Sequence, residues 1–244
     1  MGVIRCRLRE LDFIARFGEA WSMRYPGGKG RSYPQLINLM PKHTTYVETH
    51  LGGGAVMRHK KPAQRQIGIE IDPAVATQWR SKGRLAFELI EADAFTWLQN
   101  NSLDDGALIY ADPPYLPSTR KREKVYRFDY VERDHRMLLE VLKEQRCKVM
   151  ISGYRSELYD ETLKDWNSHS FFAKAHDGLR EETVWFNFEP PSELHDADHL
   201  GSNFRERETI SRRRMRLEHR IEGLSLPEQH ALLDWLQARL EAAA

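Results

Sequence analysis

The sequence predicts an α/β fold: a doubly wound, mostly parallel Rossmann-like sheet with a terminal antiparallel hairpin and a small C-terminal helical appendage. Three observations predict it. Short apolar runs of strand length alternate with helix-length segments from residue 45 to residue 152, the pattern of parallel strands joined by crossover helices. Two further strand-like runs, 169–175 and 183–188, come next with no helix between them, as an antiparallel edge requires. Beyond a polar, proline-bearing stretch lie two helical patterns, 204–222 and 227–241, broken by Gly223 and Pro227.

Taken in order, a helix is predicted from Lys29 to Met40, stopped by Pro41, because proline cannot continue one. TYVETH (45–50) reads as a strand running into the glycine turn LGGGAV and a helix. RQIGIEID (65–72) is a second strand, with Pro73 at a helix start, where its missing N–H costs nothing. FELIEAD (87–93) is a third strand, followed by a helix over 94–99. ALIYAD (107–112) is a fourth, bounded by Gly106 and Pro113, and KVMIS (148–152) a fifth, preceded by an amphipathic helix over 132–146.

A chain of 244 residues is long enough for one full α/β domain plus an appendage. No eighteen-residue apolar run exists to span a membrane. The first residues lack the apolar core of a secretory signal, so the cytoplasm is the expected location. Cys6 and Cys147 are the only cysteines; neither has a second ligand at metal spacing, and Cys147 reads as a buried thiol. Residues 1–22 differ in character from the rest of the chain and read as an N-terminal extension. A catalytic domain is expected over 23–190, a linker over 191–203 and a basic helical hairpin over 204–244.

Net charge is only +1, but its distribution is uneven. Residues 120–127 hold five cations against Glu123, and residues 204–220 carry seven arginines against three glutamates. Cations concentrated in this way suit a polyanion, since each phosphate contact releases counterions. Solvated faces have the same composition. The leucines of 227–241 equally suit packing on the domain or a dimer contact.

The most informative tetrapeptide is Asp112-Pro113-Pro114-Tyr115, which succeeds the fourth strand. In a doubly wound sheet, ligands bind beyond the carboxyl ends of the strands. Asp112 supplies a carboxylate acceptor, and Pro113 stiffens the turn and leaves its own carbonyl free to accept. Tyr115 offers a flat aromatic face. Two acceptors beside a stacking surface suit an amino group on a planar heterocycle, whose nitrogen lone pair would then face an incoming electrophile.

Gly52 and Gly54 stand in a glycine turn after the first strand, where backbone can approach a ligand closely. Alone, that turn is as consistent with an ordinary strand-to-helix connection. Glu70 ends the second strand, placed to accept from ribose hydroxyls, and Asp93 ends the third, within reach of an adenine amino group. Either acid alone would serve as a helix cap. Three strand ends in the right order, with the tetrapeptide at the fourth, form a combined pattern.

RYPGGK (24–29), the glycine turn, EAD (91–93) and DPPY (112–115), with SGY (152–154) and REETVWFNF (180–188), together resemble the motif order of Dam-type adenine-specific DNA methyltransferases over roughly residues 24–188. The resemblance implies that Tyr25 and Lys29 contact S-adenosylmethionine (AdoMet), Lys29 near its carboxylate. Gly52 and Gly54 would pass beneath its methionine part, Glu70 would hold the ribose and Asp93 the adenine ring. Asp112 and the Pro113 carbonyl would grip the target amino group while Tyr115 stacks on the base. The implied reaction is direct in-line methyl transfer to adenine N6 in double-stranded DNA, with no metal, on a base taken out of the stack.

Two departures stand out. Thr49 and His50 occupy places where the family prefers proline and phenylalanine, and Glu70 one where it often has aspartate. The family's helical target-recognition insert is missing, since only 18 residues separate Asp93 from Asp112. DNA contacts are therefore expected from Arg120, Lys121, Arg122, Lys124 and Arg127, with Tyr126 or Tyr130 stacking, and next from helix 204–220. The expected recognition sequence is short or relaxed. The alternatives are an RNA adenine-N6 methyltransferase and a non-catalytic nucleic-acid-binding protein with a relic cofactor fold. A cytosine-amino enzyme would more usually carry serine at position 112, and a protein-glutamine enzyme asparagine.

Overall fold

Strands β1 (Thr45–Glu48), β2 (Arg65–Glu70), β3 (Glu88–Glu91), β4 (Ala107–Ala111), β5 (Lys148–Gly153), β6 (Asn167–Ala175) and β7 (Gly178–Phe186) form one sheet in the order β3-β2-β1-β4-β5-β7-β6. Pairing is parallel from β3 through β5, with Val47 opposite both Ile67 and Ile109. β7 runs antiparallel between β5 and β6. This computed structural model describes residues 27–120, 126–175 and 178–242. The extension expected at 1–22, and Tyr25, Lys121, Arg122 and Lys124, lie outside the described residues.

The central strands are apolar on both faces because both are covered. Tyr46, Leu108, Tyr110, Met150 and Val184 point to one side, among residues of α1 (Tyr33–Ile37), α2 (Ala55–His59) and α3 (Pro73–Arg80). Their neighbours Val47, Ile109, Ala111, Val149 and Trp185 point to the other, among residues of α4 (Ala94–Asn100), α5 (Glu132–Lys143) and α6 (Glu157–Thr162). The period-2 alternation of a strand thus feeds two cores. Each fully buried aliphatic side chain contributes about 1.5–3 kcal/mol. Cys147 is buried as expected, and burial pushes its thiol up to about 11.

Some elements differ from the sequence reading. The helix expected from Lys29 contracts to Tyr33–Ile37, with Pro34 in its first turn; proline is tolerated only there. Lys29 instead opens a turn, its carbonyl accepting from Ser32 and Tyr33 N–H at 3.1 and 2.9 Å. Helix α6 was not expected; Ser156 caps it, accepting from Tyr159 N–H at 3.4 Å. Between β3 and β4 lies α4 as the one helix, and no further insert.

The stretch expected as a linker divides at Asp196. Leu194 bridges to Pro41, and His195 stacks on His43 at 3.7 Å. Asp196 is buried and accepts from Lys61 N–H at 2.7 Å. The chain accordingly forms two units, the second running Ala197–Ala244. Within it, α7 (Phe204–Glu222) is capped by Asn203 and α8 (Leu226–Glu241) by a Ser225–Glu228 capping box, and neither helix buries a residue.

Candidate active site

In this order the chain turns outward in opposite directions from the adjacent strands β1 and β4. Their carboxyl ends mark the topological switch point, where open α/β sheets bind ligands. A cavity of about 230 Å³ lies there, lined among others by Lys29, the Gly52–Gly54 turn, Glu70, Asp112 and Pro114. Pro113 and Tyr115 do not line it.

The glycine turn is wedged between β2 and α3. Gly52 N–H donates to Glu70 Oε2 at 2.8 Å, and Asp72 N–H donates to Glu70 Oε1 at 2.9 Å. Trp79 Nε1–H closes the other side on the Gly52 carbonyl at 2.9 Å. Both Glu70 oxygens are thereby oriented with lone pairs left over for hydroxyl donors. Burial raises its carboxyl above the usual range. Asp93 caps α4, accepting from Thr96 N–H at 2.8 Å and Thr96 Oγ1 at 2.9 Å. Ala94, not Asp93, reaches the cavity.

Asp112 leaves β4 with its carboxylate 17 % exposed and 2.8 Å from the ammonium of Lys29, which is 5 % exposed. Lys29 Nζ also donates to Tyr115 Oη at 2.7 Å and lies 3.9 Å from Glu182 Oε2. Burial opposes the Lys29 charge, but Asp112 and Glu182 outweigh it and hold the ammonium protonated. Burial pushes the Asp112 carboxyl up to about 6, against the pull of Lys29. Lys29, expected by resemblance at the AdoMet carboxylate, here donates to Asp112, the acceptor expected for a target amine. Tyr115 meets Tyr154 edge to face at 4.5 Å.

Sequence reasoning passed over Glu48, Glu182 and Tyr154. Glu48 was findable as an acid inside the apolar run before the glycine turn. Burial lifts its carboxyl to about 8, and Tyr46 donates to it at 3.0 Å. Glu182 and Arg180 alternate along β7, and Arg180 lies 5.1 Å over the Tyr154 ring; no local pattern announces that this hairpin borders the fourth strand end.

His50 bonds both neighbours, Thr49 Oγ1 at 2.9 Å and Tyr130 Oη at 3.1 Å. Burial depresses it to about 3. Buried His43 and His135 are likewise depressed, to about 3 and about 4. Between those values and 6.5 the unfolded chain binds more protons, so stability is lost as pH falls through that window, each histidine contributing up to about 1.4 kcal/mol per pH unit. Glu48 works oppositely between 4.5 and about 8, and Asp112 between 3.8 and about 6, so the three histidines outweigh them only below 6.5. Thermal melts from pH 6.5 to 4 should show a falling Tm, and His50→Phe should flatten the acid limb. An unchanged slope in the variant would remove His50 from this account.

The expected nucleic-acid segment is only partly available. Arg120 is 7 % exposed and bidentate to Asp129, both bonds 2.9 Å. Its fork is already filled by a carboxylate, so it braces the loop instead of tracking phosphate. Tyr130 is 9 % exposed, packs against His50 and also lines the cavity. Tyr126 stands against Gly27, whose φ of +71° excludes a side chain that the tyrosine would in any case meet. Arg127 is 69 % exposed at the cavity, 3.5 Å from Asp72.

No family model matches the chain, and no curated protein matches it. Among solved structures, similar chains include precorrin 8w decarboxylase of Methanobacterium thermoautotrophicum, 13 % identical, covering 69 % of this chain and 96 % of that one, TM-score 0.44. A dimethyladenosine transferase from Plasmodium falciparum is 10 % identical over 68 % and 63 %, TM-score 0.43. SMU.1697c of Streptococcus mutans, solved in complex with SAH, is 10 % identical over 64 % and 94 %, TM-score 0.43. Among the described residues, no helix is long and apolar enough to cross a membrane, and no cluster of three or more His, Cys, Asp or Glu is placed to hold a metal.

Proposed function

We propose that this chain transfers a methyl group from AdoMet to the N6 amino group of adenine in double-stranded DNA, at a short or relaxed recognition sequence. The observation that carries the reading is the placement of the Asp112 carboxylate against a cavity whose other walls are the glycine turn and the doubly braced Glu70. The residues fit AdoMet: Glu70 presents oriented acceptors for ribose hydroxyls, and a Cβ on Gly54 would lie 2.7 Å from Trp79 Cζ2, so the turn is shaped for backbone alone. Glu70, Gly52 and Gly54 would hold the cofactor, with Ala94 beside it. When bound, AdoMet supplies an electrophilic methyl group.

Asp112 and the Pro113 carbonyl would accept the two amino hydrogens, which would turn the nitrogen lone pair out of the ring plane. Placing both acceptors on one rigid turn fixes the attack geometry in advance. Once the amino nitrogen carries the methyl group, the proton it sheds would pass to the Asp112 carboxylate, whose raised proton affinity suits the task. Arg127 supports the DNA partner from the cavity edge, and taking the base out of the duplex costs a few kcal/mol.

Labelled methyl transfer to unmethylated duplex DNA, with nucleoside analysis, tests this. N6-methyladenine in the DNA is the expected product. Label in ribosomal RNA but not DNA would move the assignment to an RNA adenine methyltransferase. A strict methylated motif of six or more bases would overturn the relaxed specificity.

A further inference from the structure

The acceptor carboxylate that the reaction needs is engaged by this chain's own lysine. Lys29 Nζ sits 2.8 Å from Asp112 Oδ1, and Tyr115 Oη accepts from the same ammonium at 2.7 Å. An amino group bound to Asp112 must share or displace that contact, and an ammonium pushed into a site where it is only 5 % exposed needs another counter-charge. The structure supplies one nearby. Glu182, on β7, is 13 % exposed and lies 3.9 Å from Lys29 Nζ, beyond hydrogen-bonding distance. Its buried Oε2 has no hydrogen-bond partner among the described residues. A buried carboxylate oxygen held unsatisfied beside a bonded ammonium is a costly arrangement at rest. It becomes favourable once the ammonium moves about an ångström toward it, to the usual length of a charge-assisted bond.

We propose that Glu182 is a positioning residue, which takes up the Lys29 ammonium when the acceptor's amino group takes its place on Asp112. This rests on the methyl-transfer reading and deepens it. Lys29 then keeps Asp112 ordered before the base arrives, and Glu182 keeps Lys29 charged and out of the way afterwards. Arg180, two residues earlier on the same strand, lies over Tyr154, which in turn packs on Tyr115. The β6–β7 hairpin therefore borders both the charged and the aromatic side of the acceptor position.

The test uses the full chain in two measurements. In methyl transfer to duplex DNA, Glu182→Gln is expected to lower kcat about 10- to 100-fold, the scale of a misplaced catalytic group, with the KM for AdoMet within about twofold. Glu182→Asp should restore part of the loss. Lys29→Met/Glu182→Gln should be no slower than Lys29→Met alone, since the two residues act as one unit. Unchanged kcat in Glu182→Gln, or losses that multiply in the double variant, would overturn the proposal. The second measurement is independent of activity: the Lys29 signal in ¹⁵Nζ-lysine NMR spectra, assigned by its loss in Lys29→Met. Glu182→Gln should lower its titration midpoint by about 1–3 pH units, as removal of an adjacent opposite charge does. If the wild type methylates neither DNA nor RNA, the functional reading falls, while this signal still decides whether Glu182 holds the ammonium. An unshifted signal overturns the pairing.

Discussion

Replacing Asp112 with alanine is expected to remove methyl transfer by roughly 10²–10³-fold or more, the scale seen when one preorganised polar group facing the reacting atom is deleted. Binding of AdoMet, measured by titration calorimetry, should survive, because Glu70 and the glycine turn hold their geometry through Gly52, Asp72 and Trp79 and not through Asp112. The variant has a second consequence. Lys29 loses its 2.8 Å partner while remaining 5 % exposed, and breaking a buried pair from one side costs about 3–5 kcal/mol. Tm must therefore be read beside activity. Asp112→Asn separates the effects, since it keeps shape and an acceptor oxygen but removes the charge. Full activity in Asp112→Asn would sink the role given to the carboxylate's charge and proton affinity. In the wild type the ionised form is the acceptor, so kcat/KM should fall as pH drops through about 6, where burial places this carboxyl.

How much of this was legible beforehand depended on range along the chain. The parallel strands were readable because each is an apolar run closed by glycine, proline or an acid, and β4 with its succeeding Asp112-Pro113-Pro114-Tyr115 is the clearest case. Gly52 was readable as part of a turn, but that its N–H binds Glu70, 18 residues on, depends on β1 and β2 lying side by side. The site's electrostatics were least legible. Lys29 and Asp112 are 83 residues apart and meet only because the turn before α1 folds over the end of β4. Arg120 looked like a phosphate contact because composition shows its charge and conceals Asp129, which fills its guanidinium fork. The aromatic character of Tyr130 is likewise local, and its burial is not. Helix α6 escaped notice because six residues give too little periodicity for an amphipathic pattern to emerge.

Gly54→Ala is expected to weaken the cofactor site more than its single methyl group suggests. Gly54 has φ of +56°, where an L-residue is strained by about 1–3 kcal/mol. Its added Cβ would lie 2.7 Å from Trp79 Cζ2, 3.0 Å from Trp79 Cη2 and 3.2 Å from Leu51 Cδ1. Trp79 cannot retreat easily, being 1 % exposed, packed edge to face on Phe87 at 5.1 Å and bonded through Nε1 to the Gly52 carbonyl. The turn must shift instead, carrying the Gly52 N–H away from Glu70 and releasing the carboxylate assigned to the ribose. Overpacking of this kind adds about 1–3 kcal/mol to the strain, so Tm should fall and AdoMet affinity should weaken about tenfold or more, each 1.4 kcal/mol being tenfold. Gly30→Ala is the control, since a Cβ there meets nothing within 4 Å. If Gly54→Ala binds AdoMet as tightly as Gly30→Ala, the turn does not shape the cofactor site, and AdoMet must lie elsewhere along the carboxyl edge of the sheet.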